Sequence, residues 1–576
     1  MTNYRQQAEA WVADDPDEQT RAELLAVMND ERALRERFSE PLVFGTAGMR
    51  GRLGAGPGRM NRRLVALSVG ALCSVLQRTM SDAAARGICI GRDARHGSED
   101  LAQEAIEVAL GAGFVVHVLE RPAPTPLLAY ATTMRSAAAG IVITASHNPP
   151  TDNGFKVYTH DGIQIVPPLD GELAAAMQAL PSVLGLPRVI AAAGAQSGAL
   201  VPIDAELERA YRHSLRTRLG ARPSPRALRI AYTPLHGVGG TLALKVLADA
   251  GFHDVRPVAH QMQPDPDFPT IALPNPEEPG ALLDLMALAN SCHADVAIAH
   301  DPDADRLALC ASDGDRGHRM LSGNEMGVLL ADYAFERAPR LAKPLMCYSL
   351  VSSPMAARIA KSYGARAEVT LTGTKWICSR ALDLERHGYH LVCGFEEALG
   401  FVLGQLVRDK DGLSAAVLAA QLACACKTAG QTLWDRLYSL YEMHGYHHSM
   451  QHSEYLVGPD ALARARAVMN RLRTHPPAGI GNREVVARSD LSVGRRWDAA
   501  GEHALELPTS DVLVFELADE LRVCIRPSGT EPKLKCYFDA RTDKVPDESW
   551  NATRARAVHT LDGLRNDFLS SLAVPS

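Results

Sequence analysis

Three acidic residues stand at alternate positions after an apolar run near the middle of the chain. Asp301, Asp303 and Asp305 follow residues 296–299, whose composition is typical of a buried strand. Carboxylates this close repel one another unless a cation neutralises them, and oxygen ligands favour a hard divalent ion. The spacing therefore predicts a metal site at a strand end, with Mg²⁺ as the expected ion.

The same segment invites two other interpretations. An EF-hand loop also begins Asp-x-Asp-x-Asp, but this chain has Arg306 and Ser312 where Gly and Glu are required, so that site is excluded. A phosphatase that forms an aspartyl phosphate also places Asp-x-Asp after a buried strand. With Asp301 as nucleophile and Asp303 as acid/base, that alternative stays open.

A hydroxyl on a polar turn is the second chemical feature. Ser146 lies in the turn 144–150, where a serine by itself would be a turn former or helix cap. Beside a metal, a phosphorylated serine would carry a charge of about −1.5 to −2 and add an oxygen ligand. Ser146 is therefore predicted as a phosphoryl carrier and metal ligand, with His147 and Lys156 as nearby sources of protons or positive charge.

Two further segments offer groups for a sugar phosphate. Residues 526–533 combine hydroxyls, a glycine and two cations, which is the inventory of a phosphate cradle, although a plain β-turn would look similar. Glu396 and Glu397 could accept hydrogen bonds from sugar hydroxyls, or they could begin a helix. Together these features favour phosphoryl transfer on a sugar phosphate.

The elements that must position these residues follow a repeated pattern. Residues 88–118, 228–258 and 345–369 each read as strand, turn, Ala-rich helix and strand. Such alternation predicts three α/β domains with largely parallel sheets and ligands at strand ends. After residue 446 the pattern changes to a hairpin over 512–525 and a long final helix from residue 549, which predicts an α+β domain.

The length of 576 residues exceeds what one core usually organises. The predicted domains span residues 1–205 with the serine loop, 206–320 with the metal loop, 321–445 with the sugar loop and 446–576 with the phosphate loop. A net charge of −7 without a Lys/Arg block favours small-molecule partners over nucleic acid or membrane. The lack of a long apolar segment predicts a cytoplasmic protein, whose eleven cysteines are expected to be reduced core thiols.

Taken together, these motifs resemble the α-D-phosphohexomutase superfamily, especially its phosphoglucomutase and phosphopentomutase branch. Serine, metal, sugar and phosphate loops occur in that branch in the order found here. The resemblance extends over nearly the whole chain, through the further segments 44–51, 232–237, 274–279 and 371–376.

The resemblance implies a heart-shaped enzyme of four domains, three related α/β domains followed by a C-terminal α+β domain. It implies that Ser146 is carried as phosphoserine and that Ser146 and the three aspartates hold Mg²⁺. The last domain would bind the phosphate that is not transferred, through the residues Arg526, Ser528, Gly529 and Thr530.

The reaction implied by the resemblance passes through a sugar bisphosphate, which would also act as the activator. Phosphoserine gives its phosphoryl group to a sugar monophosphate and later takes back the other one. Arg306 would offset charge, Arg50 would lie beside the site, and Lys156 or His147 would take the hydroxyl proton. The sugar hydroxyls would be bound by Glu396, Gly373 and Lys375.

The preferred sugar stays open at this point. Interconversion of glucose 1-phosphate and glucose 6-phosphate is the leading hypothesis, and phosphopentomutase, phosphomannomutase and bisphosphate synthase are alternatives. Ala398 stands where many relatives have serine, and the histidine that ends this loop in some mannose-processing relatives has no counterpart here. A sensor that binds sugar phosphates without catalysis is a further alternative, and the sequence indicates no oligomeric state.

Overall fold

The structure is a computed structural model that describes residues 3–45, 48–180, 182–220, 227–314, 317–338, 341–456, 461–528 and 533–572. The chain divides into two compact units. The first comprises Met1–Leu321 and Ala398–Thr428, and the second comprises Ser322–Glu397 and Ala429–Ser576. Helices and strands are numbered below in chain order.

The first unit begins with three short helices, α1 (Tyr4–Asp14), α2 (Glu18–Ala26) and α3 (Glu31–Phe38). Each starts at a residue whose side chain accepts a backbone N–H of the first turn, namely Asn3, Asp17 and Asp30. Their apolar sides meet in a small cluster that includes Trp11, Leu24, Leu34 and Phe38.

A six-stranded sheet follows, in the order β1-β5-β4-β2-β3-β6. Its strands are β1 (Met49–Arg52), β2 (Ile88–Arg92), β3 (Val116–Val118), β4 (Ala139–Ile143), β5 (Asp152–Thr159) and β6 (Leu200–Pro202). The accompanying helices are α4 (Arg62–Thr79), α5 (Ala83–Arg86), α6 (Ser98–Gly111), α7 (Thr125–Met134), α8 (Leu169–Ala179) and α9 (Ala191–Ser197). Strand β2 is parallel to β3 and β4, whereas β5 returns antiparallel to β4.

The second sheet of this unit has five strands in the order β11-β10-β9-β7-β8. They are β7 (Arg229–Thr233), β8 (Asp254–Pro257), β9 (Val296–His300), β10 (Leu307–Ser312) and β11 (His318–Met320). Helices α10 (Asp204–Leu219), α11 (Gly240–Asp249) and α12 (Leu283–Ser291) belong to this part, together with a 3-10 turn at Ala259–Gln261. Strand β7 is parallel to β8 and β9, and β10 is antiparallel to β9.

The segment Ala398–Thr428 belongs to the first unit although it follows the predicted sugar loop in sequence. It contains β15 (Gly400–Leu403) and the largely buried helix α16 (Gly412–Thr428). Tyr211 on α10 donates a hydrogen bond to the buried carboxylate of Asp411, 2.8 Å away, and so holds the start of α16 against this unit.

The second unit contains a parallel sheet and an antiparallel one. The parallel strands are β12 (Pro344–Ser349), β13 (Arg366–Thr370) and β14 (His390–Glu396), with β12 in the middle. Three helices accompany them, α13 (Gly323–Arg337), α14 (Met355–Ser362) and α15 (Thr374–Glu385).

The antiparallel sheet has eight strands, seven of them in the order β16-β23-β22-β21-β18-β19-β20, with β17 paired to β18. They are β16 (Tyr446–Tyr455), β17 (Gly479–Ile480), β18 (Arg483–Asp490), β19 (Arg495–Asp498), β20 (Gly501–Ala504), β21 (Leu513–Leu517), β22 (Leu521–Pro527) and β23 (Lys533–Thr542). The helices here are α17 (Leu433–His444), α18 (Ala461–Thr474) and α19 (Trp550–Leu572). Residues recurring every three or four positions bury one face of α19: Ala557, Leu561, Leu564, Phe568 and Leu572.

The structure shows all three predicted strand-helix-strand repeats, the hairpin over 513–527 and the final helix. In the first two sheets the predicted parallel pairing holds for β4, β2, β3 and β6 and for β9, β7 and β8, whereas β5 and β10 return antiparallel after short loops. The proposed domain boundaries stay a prediction. All eleven cysteines are free thiols, nine of them buried and two, Cys292 and Cys424, half-buried.

Among the described residues, no single helix is both long and apolar enough to cross a membrane, and α16 with α17 meets that test only as a bent pair.

Candidate active site

Strands β4 and β5 present the serine loop of the first unit. Every residue of β4 is buried, so the chain emerges from the core and turns within the segment that carries Ser146. The φ angle of Ser146 is 53°, a left-handed value that is uncommon for a non-glycine residue and marks functional turns. The Ser146 amide donates to the Thr144 hydroxyl, 2.9 Å away, which holds this turn.

Arg95 holds the same loop from the carboxyl end of β2. Its Nη2 donates to the carbonyl oxygens of Ser146 and Asn148 at 2.6 and 2.5 Å, and its Nη1 donates to those of Pro149 and Asp152 at 2.8 and 3.1 Å. The sequence interpretation missed Arg95. The available signal was its position just beyond a buried strand, where a charged side chain needs a structural or chemical reason.

The metal-loop aspartates lie in the tight connection between β9 and β10. Asp301, Asp303 and Asp305 are 0%, 0% and 1% exposed, and one oxygen of each lies within 4.8 Å of the others. One carboxylate oxygen of Asp303 and one of Asp305 are buried without a hydrogen-bond partner in the described structure. Such oxygens are costly unless a cation takes them up, so this oxygen-only donor set fits a hard divalent ion.

The serine and the aspartates meet although they are 155 residues apart in sequence. The Ser146 hydroxyl donates to Asp301 Oδ2 at 2.8 Å, and both side chains are buried. The predicted phosphoryl carrier therefore touches the predicted metal cluster.

Lysine side chains contribute positive charge to the cluster. Lys156 is fully buried, with its Nζ 2.8 Å from Asp303 Oδ2 and 3.2 Å from Asp305 Oδ2, so it is not a surface lysine. Lys410, which the sequence interpretation missed, lies 3.2 Å from Asp305 Oδ2. Its only sequence signal was the charged run 408–411 just before a buried helix.

The three carboxyl groups differ in their proton affinity. Burial and the charges of Asp305 and Asp303 raise the pKa of Asp301 well above its ordinary value. Burial also acts on Asp303, but the charge of Lys156 and hydrogen bonds from Lys156 and Thr125 lower its pKa below the ordinary value. The protein's own cations therefore compensate Asp303 more fully than Asp301, where an additional cation would be most stabilising.

The other predicted catalytic residues surround Ser146. His147 Nδ1 lies 3.2 Å from the Ser146 hydroxyl oxygen. Burial and the positive charges of Arg306 and Arg50 lower the pKa of His147 well below its ordinary value, so the ring is neutral and can accept a proton. Arg50 donates to the Asn148 side chain at 3.3 Å, and the Arg306 amide donates to Asp301 Oδ1 at 2.9 Å.

Glu396 of the second unit holds the start of α15. Its Oε1 accepts the Gly373 amide at 2.6 Å, and its Oε2 accepts the Thr374 hydroxyl. Gly373 has a φ of 118°, which glycine adopts without strain. Lys375 is buried, with its Nζ 5.9 Å from the centre of the Trp376 ring. The structure thus brings Glu396, Gly373 and Lys375 into one loop cluster, while their role toward a sugar stays a prediction.

Glu397 and Arg526 form the other polar cluster of this unit. Glu397 accepts hydrogen bonds from Ser349 at 2.9 Å and Ser352 at 3.3 Å, and burial and the charge of Glu396 raise the pKa of Glu397 to about 7. Arg526 Nη2 donates to the Tyr537 hydroxyl at 3.1 Å.

Only part of the predicted phosphate loop can be located. The Ser528 amide donates to the Lys533 carbonyl at 2.8 Å. Gly529 and Thr530 lie outside the described residues.

Four family models match the chain in succession. The Phosphoglucomutase/phosphomannomutase alpha/beta/alpha domains I, II and III match residues 41–183, 209–314 and 322–443, and the C-terminal domain of the same family matches residues 482–550. The chain therefore has the four-domain phosphohexomutase architecture.

Several curated proteins are similar to the chain over most of its length. A Haemophilus influenzae protein named "Probable phosphomannomutase" is 38% identical, with 84% of this chain and 93% of that protein covered. A Saccharomyces cerevisiae phosphoribomutase is 34% identical, with 94% of each covered. A Staphylococcus aureus phosphoglucomutase is 31% identical, with 89% and 91% covered.

Solved structures agree on the fold. A phosphoglucomutase/phosphomannomutase family protein from Burkholderia thailandensis aligns with a TM-score of 0.67 at 19% identity, covering 93% of this chain and 98% of that one. With four matched domains and relatives above 30% identity, the chain is a phosphosugar mutase, an intramolecular phosphotransferase, and belongs to the phosphoglucomutase/phosphomannomutase family of the α-D-phosphohexomutase superfamily.

Proposed function

We propose that this enzyme interconverts glucose 1-phosphate and glucose 6-phosphate, with Ser146 as the phosphoryl carrier. The observation that carries the proposal is the 2.8 Å contact between the Ser146 hydroxyl and Asp301, inside a buried carboxylate cluster. A hydroxyl so placed would hold its phosphate next to a cation bound by the aspartates.

The proposed metal is Mg²⁺, held by Ser146, in its phosphorylated form, and by Asp301, Asp303 and Asp305. When bound, it would supply positive charge that offsets the charge on the transferring phosphoryl group.

The proposed reaction conserves phosphate. The bond between Ser146 Oγ and phosphorus breaks, a bond forms between phosphorus and a sugar hydroxyl oxygen, and His147 takes the hydroxyl proton. Lys156, as an ammonium paired with Asp303 and Asp305, supplies positive charge. The second transfer returns the other phosphoryl group to Ser146 and gives the isomer. His147 is supported as a base by the position of its Nδ1, 3.2 Å from the Ser146 hydroxyl oxygen, and proton transfer of this kind contributes about 10²- to 10⁴-fold.

The remaining predicted residues are assigned to substrate binding. Arg50 and Arg306 would stabilise charge on the phosphoryl group, and Glu396, Gly373 and Lys375 would bind the sugar. The other phosphate would be held by Arg526, Ser528, Gly529 and Thr530, with glucose 1,6-bisphosphate as intermediate and activator.

The aspartyl-phosphate alternative is disfavoured by the hydrogen bonds of Asp301. Its Oδ2 accepts the Ser146 hydroxyl and its Oδ1 accepts the Arg306 amide, so both oxygens are already engaged. Trapping of the phosphoenzyme separates the two chemistries, since a serine ester resists hydroxylamine and an acyl phosphate does not.

The test of the proposal compares Ser146→Ala with Ser197→Ala, which removes a hydroxyl that donates to the Gly194 carbonyl within α9. With Mg²⁺ and a trace of bisphosphate, we expect Ser146→Ala to abolish turnover and covalent labelling, and Ser197→Ala to retain both. Undiminished turnover of Ser146→Ala would reject the mechanism.

A second candidate substrate is a pentose phosphate. It is supported by relatives named phosphoribomutase and phosphopentomutase, which are 34% and 33% identical with at least 87% of either chain covered. A panel of glucose, mannose, ribose and deoxyribose phosphates decides between them, because the highest kcat/KM identifies the preferred sugar.

The proposed location is the cytoplasm, which is supported by eleven free thiols.

A further inference from the structure

A cavity of about 570 Å³ in the first unit is lined by none of the residues of the candidate active site. It lies where the connection between α1 and α2 meets the start of α4, the middle of α6 and the segment 184–188. Its charged lining residues are Asp15, Arg21, Arg62, Glu104 and Arg188. The volume is within the usual range of small-molecule pockets, about 300–1,000 Å³.

The acidic and basic side chains of this cavity differ in their exposure. The two acids are hidden, since Glu104 is 0% and Asp15 is 1% exposed. The side chains of Arg62 and Arg188 are 35% and 23% exposed. A solute in the cavity would therefore meet guanidinium groups and almost no carboxylate surface.

The buried carboxylate of Glu104 holds two of the three arginines, Arg62 and Arg188, in place. Its Oε2 accepts Arg62 Nε at 3.0 Å, and its Oε1 accepts Arg188 Nε and Nη2 at 3.0 and 2.9 Å. Asp17 and Asp100 also act on Arg62 through their negative charge. The result is a pair of guanidinium groups held in a fixed orientation by one buried carboxylate.

Arg21 adds a third cation from the N-terminal helices. Its Nη1 donates to the Asp15 carbonyl at 2.8 Å, while the Asp15 carboxylate accepts hydrogen bonds from Thr20 and from the Asp17 amide. The Asp15 carboxylate is thus hydrogen-bonded within its own turn, and the nearby charge of Arg21 also acts on it. Fixed guanidinium groups are the side chains best suited to bind a phosphate oxygen pair.

We propose that this cavity binds the phosphate group of a small phosphorylated metabolite. Arg21, Arg62 and Arg188 would contact the phosphate, and Val12 and Leu184 offer apolar surface to the remainder. The bound anion would link the first two helices to α4 and α6. This site does not depend on the proposed function of Ser146.

The test is hydrogen exchange of the full-length protein with three probes: inorganic phosphate, glucose 6-phosphate and glucose. We expect both phosphates to slow exchange in residues 12–21 and 183–188, and glucose to have no effect. If less glucose 6-phosphate than inorganic phosphate is needed to slow exchange by half, the sugar is also bound. If the two concentrations are equal, the site recognises phosphate alone.

Arg62→Gln is the principal variant, because Arg188 continues to neutralise Glu104. Loss of one charge-assisted contact should raise the phosphate concentration that gives half-maximal slowing of exchange roughly tenfold, with kcat unchanged. Arg21→Gln, which leaves the Glu104 pairs intact, should have the same effect. The matched control is Arg5→Gln, on the exposed side of α1, which should behave like the wild type.

Two results would overturn the proposal. One is unchanged exchange in these segments at phosphate concentrations that protect the serine loop. The other is equal protection in wild type, Arg62→Gln and Arg21→Gln, which would place the cause of the protection at the active site.

Discussion

Lys156 neutralises part of the aspartate charge from a position without access to solvent. Breaking a buried ion pair by removing one partner typically costs about 3–5 kcal/mol, because the other charge stays buried. We expect Lys156→Met to destabilise the metal-free protein by about 3 kcal/mol and to lower kcat at least about 100-fold. Added Mg²⁺ should restore more stability to the variant than it adds to the wild type.

Denaturant unfolding with EDTA and with Mg²⁺ measures this difference for Lys156→Met. Lys361→Met on α14 is the control, since Lys361 is exposed and should change stability by less than about 0.5 kcal/mol. Equal stability of Lys156→Met and wild type without metal would contradict the assigned ion pairs.

Glu397 makes the stability of the second unit depend on pH. Its pKa is raised to about 7 in the folded protein, so the folded state binds this proton more tightly than the unfolded chain does. The corresponding stabilisation is complete below the unfolded pKa of about 4.3 and is lost as the pH rises through about 7. We expect Glu397→Gln to remove a decline of the order of 2 kcal/mol between pH 5 and pH 8.

The measurement is the free energy of unfolding of wild type and Glu397→Gln across this pH range. Parallel curves for the two proteins would show that Glu397 titrates at its ordinary pKa.

The serine loop is an element whose shape depends on one side chain from a neighbouring strand. Arg95 donates to four of its carbonyl oxygens and lies 3.5 Å from Asp93, which is 1% exposed. We expect Arg95→Met to destabilise the first unit by about 3–5 kcal/mol and to lower kcat about 100-fold through misplacement of Ser146. Hydrogen exchange of residues 146–152, with kcat measured at a temperature where the variant is folded, separates the two effects.

Arg92→Met is the matched control on the same strand end, because Arg92 pairs with Glu99, whose side chain is 81% exposed. Its expected effect is within about 0.5 kcal/mol. A normal kcat for folded Arg95→Met would show that the loop holds Ser146 without this arginine.

At the scale of the whole molecule, the carboxylate cluster lies in one compact unit and four of the five tryptophans lie in the other. We expect Mg²⁺ at about 100 times its Kd to stabilise the first unit by about 2.7 kcal/mol and the second much less. Tryptophan fluorescence follows the second unit through Trp376, Trp434, Trp497 and Trp550, while hydrogen exchange of residues 296–312 follows the first. An equal Mg²⁺ shift in both signals would contradict separate stabilisation of the two units.

The chemistry of the site could be predicted from the sequence wherever it depends on residues close together in the chain. The aspartates at alternate positions, the serine turn and the strand-helix-strand repeats are local patterns, since side-chain spacing and turn residues determine them. The order of these patterns along the chain was enough to indicate the family.

The sequence predicted that Ser146 and Lys156 lie near the aspartates, but only the tertiary structure decided their contacts with Asp301 and Asp303. It also added two residues that the sequence did not indicate: Arg95 holds the serine loop, and Lys410 joins the cluster from a segment that follows the sugar loop. None of these contacts can be recognised from a repeated spacing in the sequence. Each joins elements that are far apart along the chain and are brought together by the packing of sheets and helices. The local sequence therefore determined which groups are available for catalysis, and the fold determined which of them act together.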